Sequence, residues 1–104
     1  TIQKFTPTCL VKVLLNCSAG INYYLKYCCK VSISQVGDQV KMPTAPVVPE
    51  KPIYRETKAK VRYAYNYCTH SYTSAFWGEN QWRNELDWLA LNGVNVVLDI
   101  PLMK

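Results

Sequence analysis

The N-terminal third of the chain changes from a strand-like to a helix-like hydrophobic pattern. Residues 10–15, LVKVLL, form a short apolar run with β-branched side chains, which predicts a buried strand. Ser18 is the predicted N-cap of the helix that follows, because its hydroxyl oxygen can accept from free backbone amides. The helix is predicted from apolar side chains at steps of three and four residues: Ile21, Tyr24, Leu25 and Cys28.

Residues 31–42 have the pattern of a β-hairpin. Residues 31–36, VSISQV, alternate between apolar and polar side chains, and residues 39–42 predict the returning strand. Gly37 and Asp38 separate the two segments, and glycine in the first central position suits a two-residue turn. Residues 1–42 are therefore predicted to form a small α/β unit.

Proline dominates the next segment. It recurs at every third position from residue 43 to residue 52, which favours polyproline II geometry and excludes a helix. We interpret residues 43–57 as a semi-rigid connector to a second unit, residues 58–104.

The second unit has a strand–helix–strand pattern. Residues 61–68 alternate with period two and predict a strand. Residues 80–91 carry an apolar stripe at helical spacing, formed by Trp82, Leu86, Leu89 and Ala90 and widened by Trp88 and Leu91. Asn92-Gly93 ends the predicted helix, because glycine adopts the left-handed conformation without a steric penalty. Residues 94–100 are almost continuously apolar, as strands of parallel sheets are. The pattern predicts a βαβ unit with a right-handed crossover.

A single βαβ unit leaves open strand edges, and a strand that is apolar on both faces needs neighbours. We therefore expect the chain to be a piece of a larger α/β enzyme whose sheet or barrel continues beyond Lys104.

Composition and charge argue against a disordered, nucleic-acid-binding or membrane-spanning protein. With 49% hydrophobic and 18% charged residues, the chain is not expected to be disordered. The formal net charge is +5, but the basic residues are scattered, so a nucleic-acid-binding module is only a weak alternative. The sequence predicts no membrane span and contains no targeting signal of the basic-then-apolar type.

Neither a metal nor an organic cofactor is predicted. The five cysteines have irregular spacing without a CxxC pair, and His70 is the single histidine, which does not fit a four-ligand zinc site. A glycine-rich phosphate loop is also absent. Most cysteines are predicted to be small buried groups, and the Asn16 sequon leaves glycosylation open.

Two residues are the strongest candidates for ligand contact. Asn66 and Cys68 are predicted to share one face at the end of the strand 61–68, next to a loop where barrel enzymes build their sites. Hydrolysis by paired carboxylates needs two acids around one bond, whereas only Asp99 falls at the end of a predicted parallel strand. No catalytic residue is therefore assigned.

Two segments carry a family resemblance. Residues 62–77 read RYAYNYCTHSYTSAFW, and residues 81–95 read QWRNELDWLALNGVN. Together they resemble the α-N-acetylglucosaminidases of glycoside hydrolase family 89, whose pattern contains RY…NxCTxSY and E(I/L)DWxALNG(I/V)N. A weaker similarity runs back through residues 20–43. Gly78-Glu79 and residues 101–104 depart from the family pattern.

The resemblance implies a fold and a function. The fold is a small N-terminal α/β domain, of which residues 1–42 would be the C-terminal part, followed by the first β-α-β of a truncated (β/α)₈ barrel. Asn66 and Cys68 would line the pocket for a terminal N-acetylglucosamine of a glycan or glycosaminoglycan. The two glutamates of a retaining mechanism would lie beyond Lys104, so this chain is predicted to be inactive alone. Lysosomal or secreted localisation is implied, and the oligomeric state stays open.

A second function class is a non-catalytic carbohydrate-binding remnant. Trp77, Trp82 and the tyrosines would then be stacking surfaces for sugar rings. Packing is the competing interpretation, since Trp82 and Trp88 fall on the stripe of the predicted helix. Sugar binding with little salt dependence would separate this class from nucleic-acid binding.

Overall fold

The computed structural model describes residues 14–45 and 47–98. Two short two-stranded sheets and three helices are present in this part of the chain. In chain order the elements are α1 (Leu14–Tyr27), β1 (Ser32–Ser34), β2 (Gly37–Gln39), β3 (Tyr63–Ala64), α2 (Tyr67–Ser71), α3 (Glu79–Leu91) and β4 (Val96–Val97).

Helix α1 starts earlier than the hydrophobic pattern predicted. Leu14 and Leu15, assigned to a strand, are helical, and residues 10–13 lie outside the described residues. The strand prediction is wrong for these two residues, because a short apolar run does not distinguish a buried strand from a helix and leucine favours helix. Ser18 is not an N-cap: it lies inside the helix, where its hydroxyl group donates to the Leu14 carbonyl at 3.3 Å.

The hairpin is present, but its turn lies two residues earlier than predicted. Strands β1 and β2 are antiparallel, and Ser34 pairs with Gly37, so Gln35 and Val36 form the turn. Asp38 accepts from the Ser34 amide at 3.3 Å through Oδ1, which favours this register. Gly37 has a φ of 154°, a value that L side chains rarely adopt, so glycine is suited to the strand position after the turn.

The proline-rich connector contains no helix or strand in its described residues, which exclude Pro46. It runs along α1: the Tyr24 hydroxyl group donates to the Val47 carbonyl at 2.8 Å. The Arg55 guanidinium lies 5.4 Å from the centroid of the Tyr23 ring. The absence of a helix from these residues agrees with the proline pattern, whereas the polyproline II geometry and the boundaries 1–42, 43–57 and 58–104 stay predictions.

The strand–helix–strand unit is confirmed, with shorter strands. Strands β3 and β4 are parallel, with Tyr63 opposite Val96 and Ala64 opposite Val97, and α3 connects them. The predicted strand 61–68 is wrong beyond Ala64, because the chain bends at Tyr65 and enters α2. Residues 99 and 100 of the predicted second strand, including Asp99, lie outside the described residues.

Helix α3 ends where the sequence predicted. Asn92 is its C-cap, and Gly93 follows with a φ of 79°. At the other end, the Gln81 side-chain oxygen accepts from the Gly78 amide at 3.1 Å.

The buried face of α3 differs from the predicted stripe. Leu89 is 5% exposed as expected, but Leu86 is 45% exposed and Glu85 only 7%. Helix α1 packs against α3, and the buried apolar side chains of the described residues are Cys29, Val31 and Leu89. No helix within residues 14–45 and 47–98 is long and apolar enough to cross a membrane.

Candidate functional site

Asn66 begins the short helix that follows strand β3. It is the N-cap of α2, with φ of −132° and ψ of 171°, and its side-chain oxygen accepts from the Thr69 amide at 3.2 Å. Its side chain is exposed. Asparagine is a favoured N-cap because its short amide reaches the free N–H groups of the first turn. The Thr69 hydroxyl group donates to the same oxygen at 3.4 Å, so Thr69 orients this side chain at the carboxyl end of a parallel strand.

Cys68 lies in the first turn of α2 and is exposed. The prediction that Asn66 and Cys68 share one face of a strand is wrong, because neither residue is in the strand. The structure nevertheless brings both to the same exposed turn at the end of β3. Among the four described cysteines only Cys29 is buried, at 8% exposure, so the prediction that most cysteines are buried is wrong for this part of the chain.

Tyr65 forms the bend that separates strand β3 from α2. Its φ is 75°, in the left-handed region that aromatic residues rarely adopt. The half-buried side chain points to α3, where its hydroxyl group donates to Glu85 Oε1 at 2.6 Å. Burial, together with this hydrogen bond to a carboxylate, raises the pKa of Tyr65 above its usual value of 10.0.

Glu85 connects three segments of the chain. From the middle of α3 its Oε1 accepts from the Tyr65 hydroxyl group and also from the Gln35 side-chain amide in the hairpin turn. Sequence reasoning missed this role, although a signal was present. Glu85 is three residues after Trp82 and four before Leu89, so helical spacing places its carboxylate on the buried stripe.

An aromatic cluster lies beside this carboxylate. The rings of Trp82 and His70 stack with centroids 5.4 Å apart, and Tyr65 meets Trp82 edge-on at 6.0 Å. Trp77 meets Trp82 edge-on at 5.1 Å. The His70 ring nitrogen Nε2 is 3.2 Å from the Leu98 carbonyl, which connects α2 to the end of β4. Trp82 therefore has the packing role that the hydrophobic stripe predicted.

A cavity of about 590 Å³ lies between the hairpin and α3. Aromatic rings, amides and carboxylates share its wall, which includes Asp38, Trp77, Gln81, Asn84, Asp87 and Trp88. Sequence reasoning did not find this cavity. The hairpin and α3 are about 40 or more positions apart in the sequence, so no local pattern indicates that they pack together.

The described carboxylates form no metal site. Within residues 14–45 and 47–98, no group of three or more His, Cys, Asp and Glu side chains could hold a metal ion. Glu79 is exposed and forms an i,i+4 ion pair with Arg83 at 2.6 Å. Glu85 accepts from two neutral donors. The expectation of no cofactor stays a prediction.

Comparison with known proteins identifies the family. Residues 62–101 match the model of the α-N-acetylglucosaminidase (NAGLU) TIM-barrel domain. The Homo sapiens α-N-acetylglucosaminidase is 37% identical over 82 residues, which cover 78% of this chain and 11% of the human protein. The chain belongs, over the matched part, to the α-N-acetylglucosaminidase family, glycoside hydrolase family 89. This result confirms the resemblance inferred from residues 62–77 and 81–95.

Solved structures of the family share this fold. The Clostridium perfringens family 89 enzyme, with two Glu-to-Gln substitutions and its substrate GlcNAc-α-1,4-galactose, is 43% identical with a TM-score of 0.78. That match covers 82% of this chain and 10% of the bacterial chain. The same enzyme in complex with 2-acetamido-1,2-dideoxynojirimycin is 44% identical with a TM-score of 0.79, covering 83% and 10%. The chain thus spans about a tenth of the length of these relatives.

Proposed function

We propose that this chain is part of an exo-acting α-N-acetylglucosaminidase that hydrolyses terminal α-linked N-acetylglucosamine from glycans. The observation that carries the proposal is the position of the Asn66–Cys68 turn. It follows parallel strand β3 within the segment that matches the family's TIM-barrel domain. TIM-barrel enzymes build their active sites from the loops at the carboxyl ends of their strands.

Asn66 and Cys68 have a binding role in this proposal. The Asn66 oxygen caps α2, which leaves its exposed amide group free to donate to a hydroxyl or acetamido oxygen of the sugar. The exposed Cys68 thiol borders the same turn and contributes shape and a weak donor. Both residues position the sugar, which lowers the entropic part of the barrier without any proton transfer.

The bond cleavage is assigned to carboxylates outside this chain. A retaining glycosidase needs an acid/base and a nucleophile about 5–5.5 Å apart. Two of the described carboxylates on α3 have other partners: Glu85 accepts from Tyr65 and Gln35, and Glu79 pairs with Arg83. Two glutamates were replaced in the C. perfringens structure that holds its substrate, which supports a two-glutamate mechanism in the family. We further propose a truncated barrel after an N-terminal α/β unit, and lysosomal or secreted localisation.

The test starts with the natural gene product that contains these residues. Its intact mass is measured, and it is assayed on aryl α- and β-N-acetylglucosaminides with an aryl α-N-acetylgalactosaminide as the matched control. Proton NMR of the first product identifies its anomer. We expect a mass far above 11.9 kDa, cleavage restricted to the α-N-acetylglucosaminide, and α-N-acetylglucosamine released first.

Three results would overturn parts of this proposal. A gene product that leaves all three substrates intact would refute the hydrolase assignment. Initial release of the β-anomer would refute the retaining mechanism. Hydrolysis by residues 1–104 alone would show that the catalytic carboxylates are within this chain.

The cavity between the hairpin and α3 supports a second candidate function, carbohydrate binding without catalysis. Trp77 and Trp88 offer aromatic faces, while Asn84 and Asp87 offer hydrogen-bonding groups, a combination typical of sugar sites. Titration of the chain with GlcNAc-α-1,4-galactose, followed by tryptophan fluorescence, tests this function. We expect Trp88→Ala to abolish a saturable signal, whereas heparin binding that disappears with salt would indicate only non-specific charge.

A further inference from the structure

The backbone at Tyr65 is held in an unfavourable conformation. A φ of 75° is strained for an aromatic residue, and such outliers persist only where surrounding contacts fix them. The Tyr65 side chain makes those contacts away from its own loop. Its hydroxyl group binds Glu85 Oε1 at 2.6 Å, and its ring packs edge-on against Trp82.

The bend at Tyr65 determines where the candidate binding residues lie. Tyr65 immediately follows strand β3 and immediately precedes Asn66, the N-cap of α2. A change of φ at Tyr65 rotates everything that follows, so α2 would leave the strand in another direction. The positions of the Asn66 amide and the Cys68 thiol therefore depend on the contact between Tyr65 and Glu85.

The buried carboxylate of Glu85 needs an explanation of its own. Only 7% of this residue is exposed, and burying a carboxylate is unfavourable unless it accepts hydrogen bonds. An apolar side chain would fill the same position on α3 at lower cost. Tyr65 and Gln35 both donate to the same oxygen, Oε1. We infer that an acceptor atom is required at this position, which an apolar side chain would not provide.

We propose that Glu85 is a positioning residue for the sugar site: through Tyr65 it holds the bend that presents Asn66 and Cys68. The proposal rests on the function proposed above, since it needs these two residues to contact the substrate. Glu85 itself does not touch the sugar. Its carboxylate acts on the turn only through the hydrogen bond from the Tyr65 hydroxyl group.

The test compares four variants of the natural gene product. Glu85→Met removes the acceptor with similar volume, and Tyr65→Phe removes only the donor. Glu85→Gln keeps an acceptor oxygen, so it is the conservative rescue. Gln35→Ala removes the other donor to the same carboxylate and leaves the Tyr65 contact intact. KM and kcat are measured on an aryl α-N-acetylglucosaminide well below each variant's unfolding temperature.

A positioning role gives a specific kinetic pattern. We expect Glu85→Met and Tyr65→Phe to raise KM about tenfold, because small displacements of binding groups can cost up to ~100-fold in rate. Glu85→Gln should keep KM near the native value. Gln35→Ala should lower the unfolding temperature without changing KM. Native KM and kcat in folded Tyr65→Phe, or an equal rise of KM in Gln35→Ala, would overturn the proposal.

Amide hydrogen exchange separates this inference from the proposed function. Exchange over residues 66–71 should be about tenfold faster in Tyr65→Phe than in Gln35→Ala, because only the first variant frees the bend. An inactive natural product with this exchange pattern would refute the glycosidase assignment and leave the role of Glu85 in holding the turn. Equal exchange in the two variants would refute the positioning role whatever the activity. If Glu85→Met does not fold, Tyr65→Phe decides the outcome.

Discussion

The hydroxyl group of Tyr65 donates a hydrogen bond of 2.6 Å to Oε1 of Glu85, a residue 20 positions further along the chain. This contact joins the residue after strand β3 to the middle of helix α3, so the first strand of the βαβ unit and its crossover helix share a partly buried hydrogen bond. The Gln35 side-chain amide in the hairpin turn donates to the same oxygen of Glu85. Three separate segments are therefore connected through one oxygen atom.

Removal of the Tyr65 hydroxyl group should destabilise the protein. Tyr65→Phe leaves the buried Glu85 carboxylate with one donor fewer, and a hydrogen bond to a charged group contributes about 1.5–3 kcal/mol. We expect a loss of that size in the free energy of unfolding, measured by urea titration. Tyr63→Phe is the matched control, because Tyr63 is 55% exposed. Equal stability of the two variants would contradict the prediction.

The same tyrosine should make stability depend on alkaline pH. Burial and the hydrogen bond to Glu85 raise the pKa of Tyr65 in the folded protein above 10.0, its ordinary value. A raised folded-state pKa gives stability that is fully present below pH ~10 and is lost as the pH rises further. Urea titrations from pH 9 upward should therefore show a steeper decline for the native protein than for Tyr65→Phe. Parallel declines would show that Tyr65 titrates normally.

Much of the second unit was predictable because its signals are local. Asn92 and Gly93 end α3 through their own backbone preferences, and the apolar run after them gave the second strand. The strand 61–68 was predicted too long, because period two continues in the side chains while the backbone turns at Tyr65. The bend is held by the hydrogen bond between Tyr65 and Glu85. These residues are 20 positions apart, so a pattern of neighbouring residues does not reveal the contact.

In the hairpin and the candidate site, too, side-chain contacts determine details that the residue pattern did not predict. Gly37 indicated a turn, but the Ser34–Asp38 contact moves the turn to Gln35 and Val36. Asn66 was predicted to contact a ligand because it was placed at a strand end. Its role as N-cap was not predicted, although asparagine three residues before Thr69 is a favoured capping residue.

Asn66 allows a separation of its structural and binding roles. Asn66→Asp keeps a side-chain oxygen that can cap α2 through the Thr69 amide, but it loses the amide donor. Asn66→Ala loses both, and loss of a cap costs about 1 kcal/mol. In the natural gene product we expect both variants to raise KM for an α-N-acetylglucosaminide at least about tenfold, with only Asn66→Ala losing stability. A native KM in folded Asn66→Asp would remove this residue from the site.

Asn95 should stabilise the pairing of strands β3 and β4. Its Oδ1 accepts from the Arg62 amide, and its Nδ2 donates to the Lys60 carbonyl, both at 2.8 Å. Asn95→Ala removes both bonds, so we expect a loss of about 1–3 kcal/mol in urea titrations. Asn95→Asp keeps the acceptor and loses the donor, and should fall between Asn95→Ala and the native protein. An unaffected Asn95→Ala would show that water replaces both contacts at no cost.

Gly93 offers a test of whether backbone conformation or space restricts the end of α3. A Cβ atom at this position would lie 3.7 Å from Ala19 Cβ and 3.9 Å from Arg62 Nε, which are ordinary contacts. The cost of Gly93→Ala should therefore come from the φ of 79° and amount to about 1–2 kcal/mol. Gly93→Asn is the discriminating control, since asparagine tolerates the left-handed region better although its side chain is larger. If the conformation decides, Gly93→Asn is more stable than Gly93→Ala in urea; the reverse order would mean that packing against α1 limits this position.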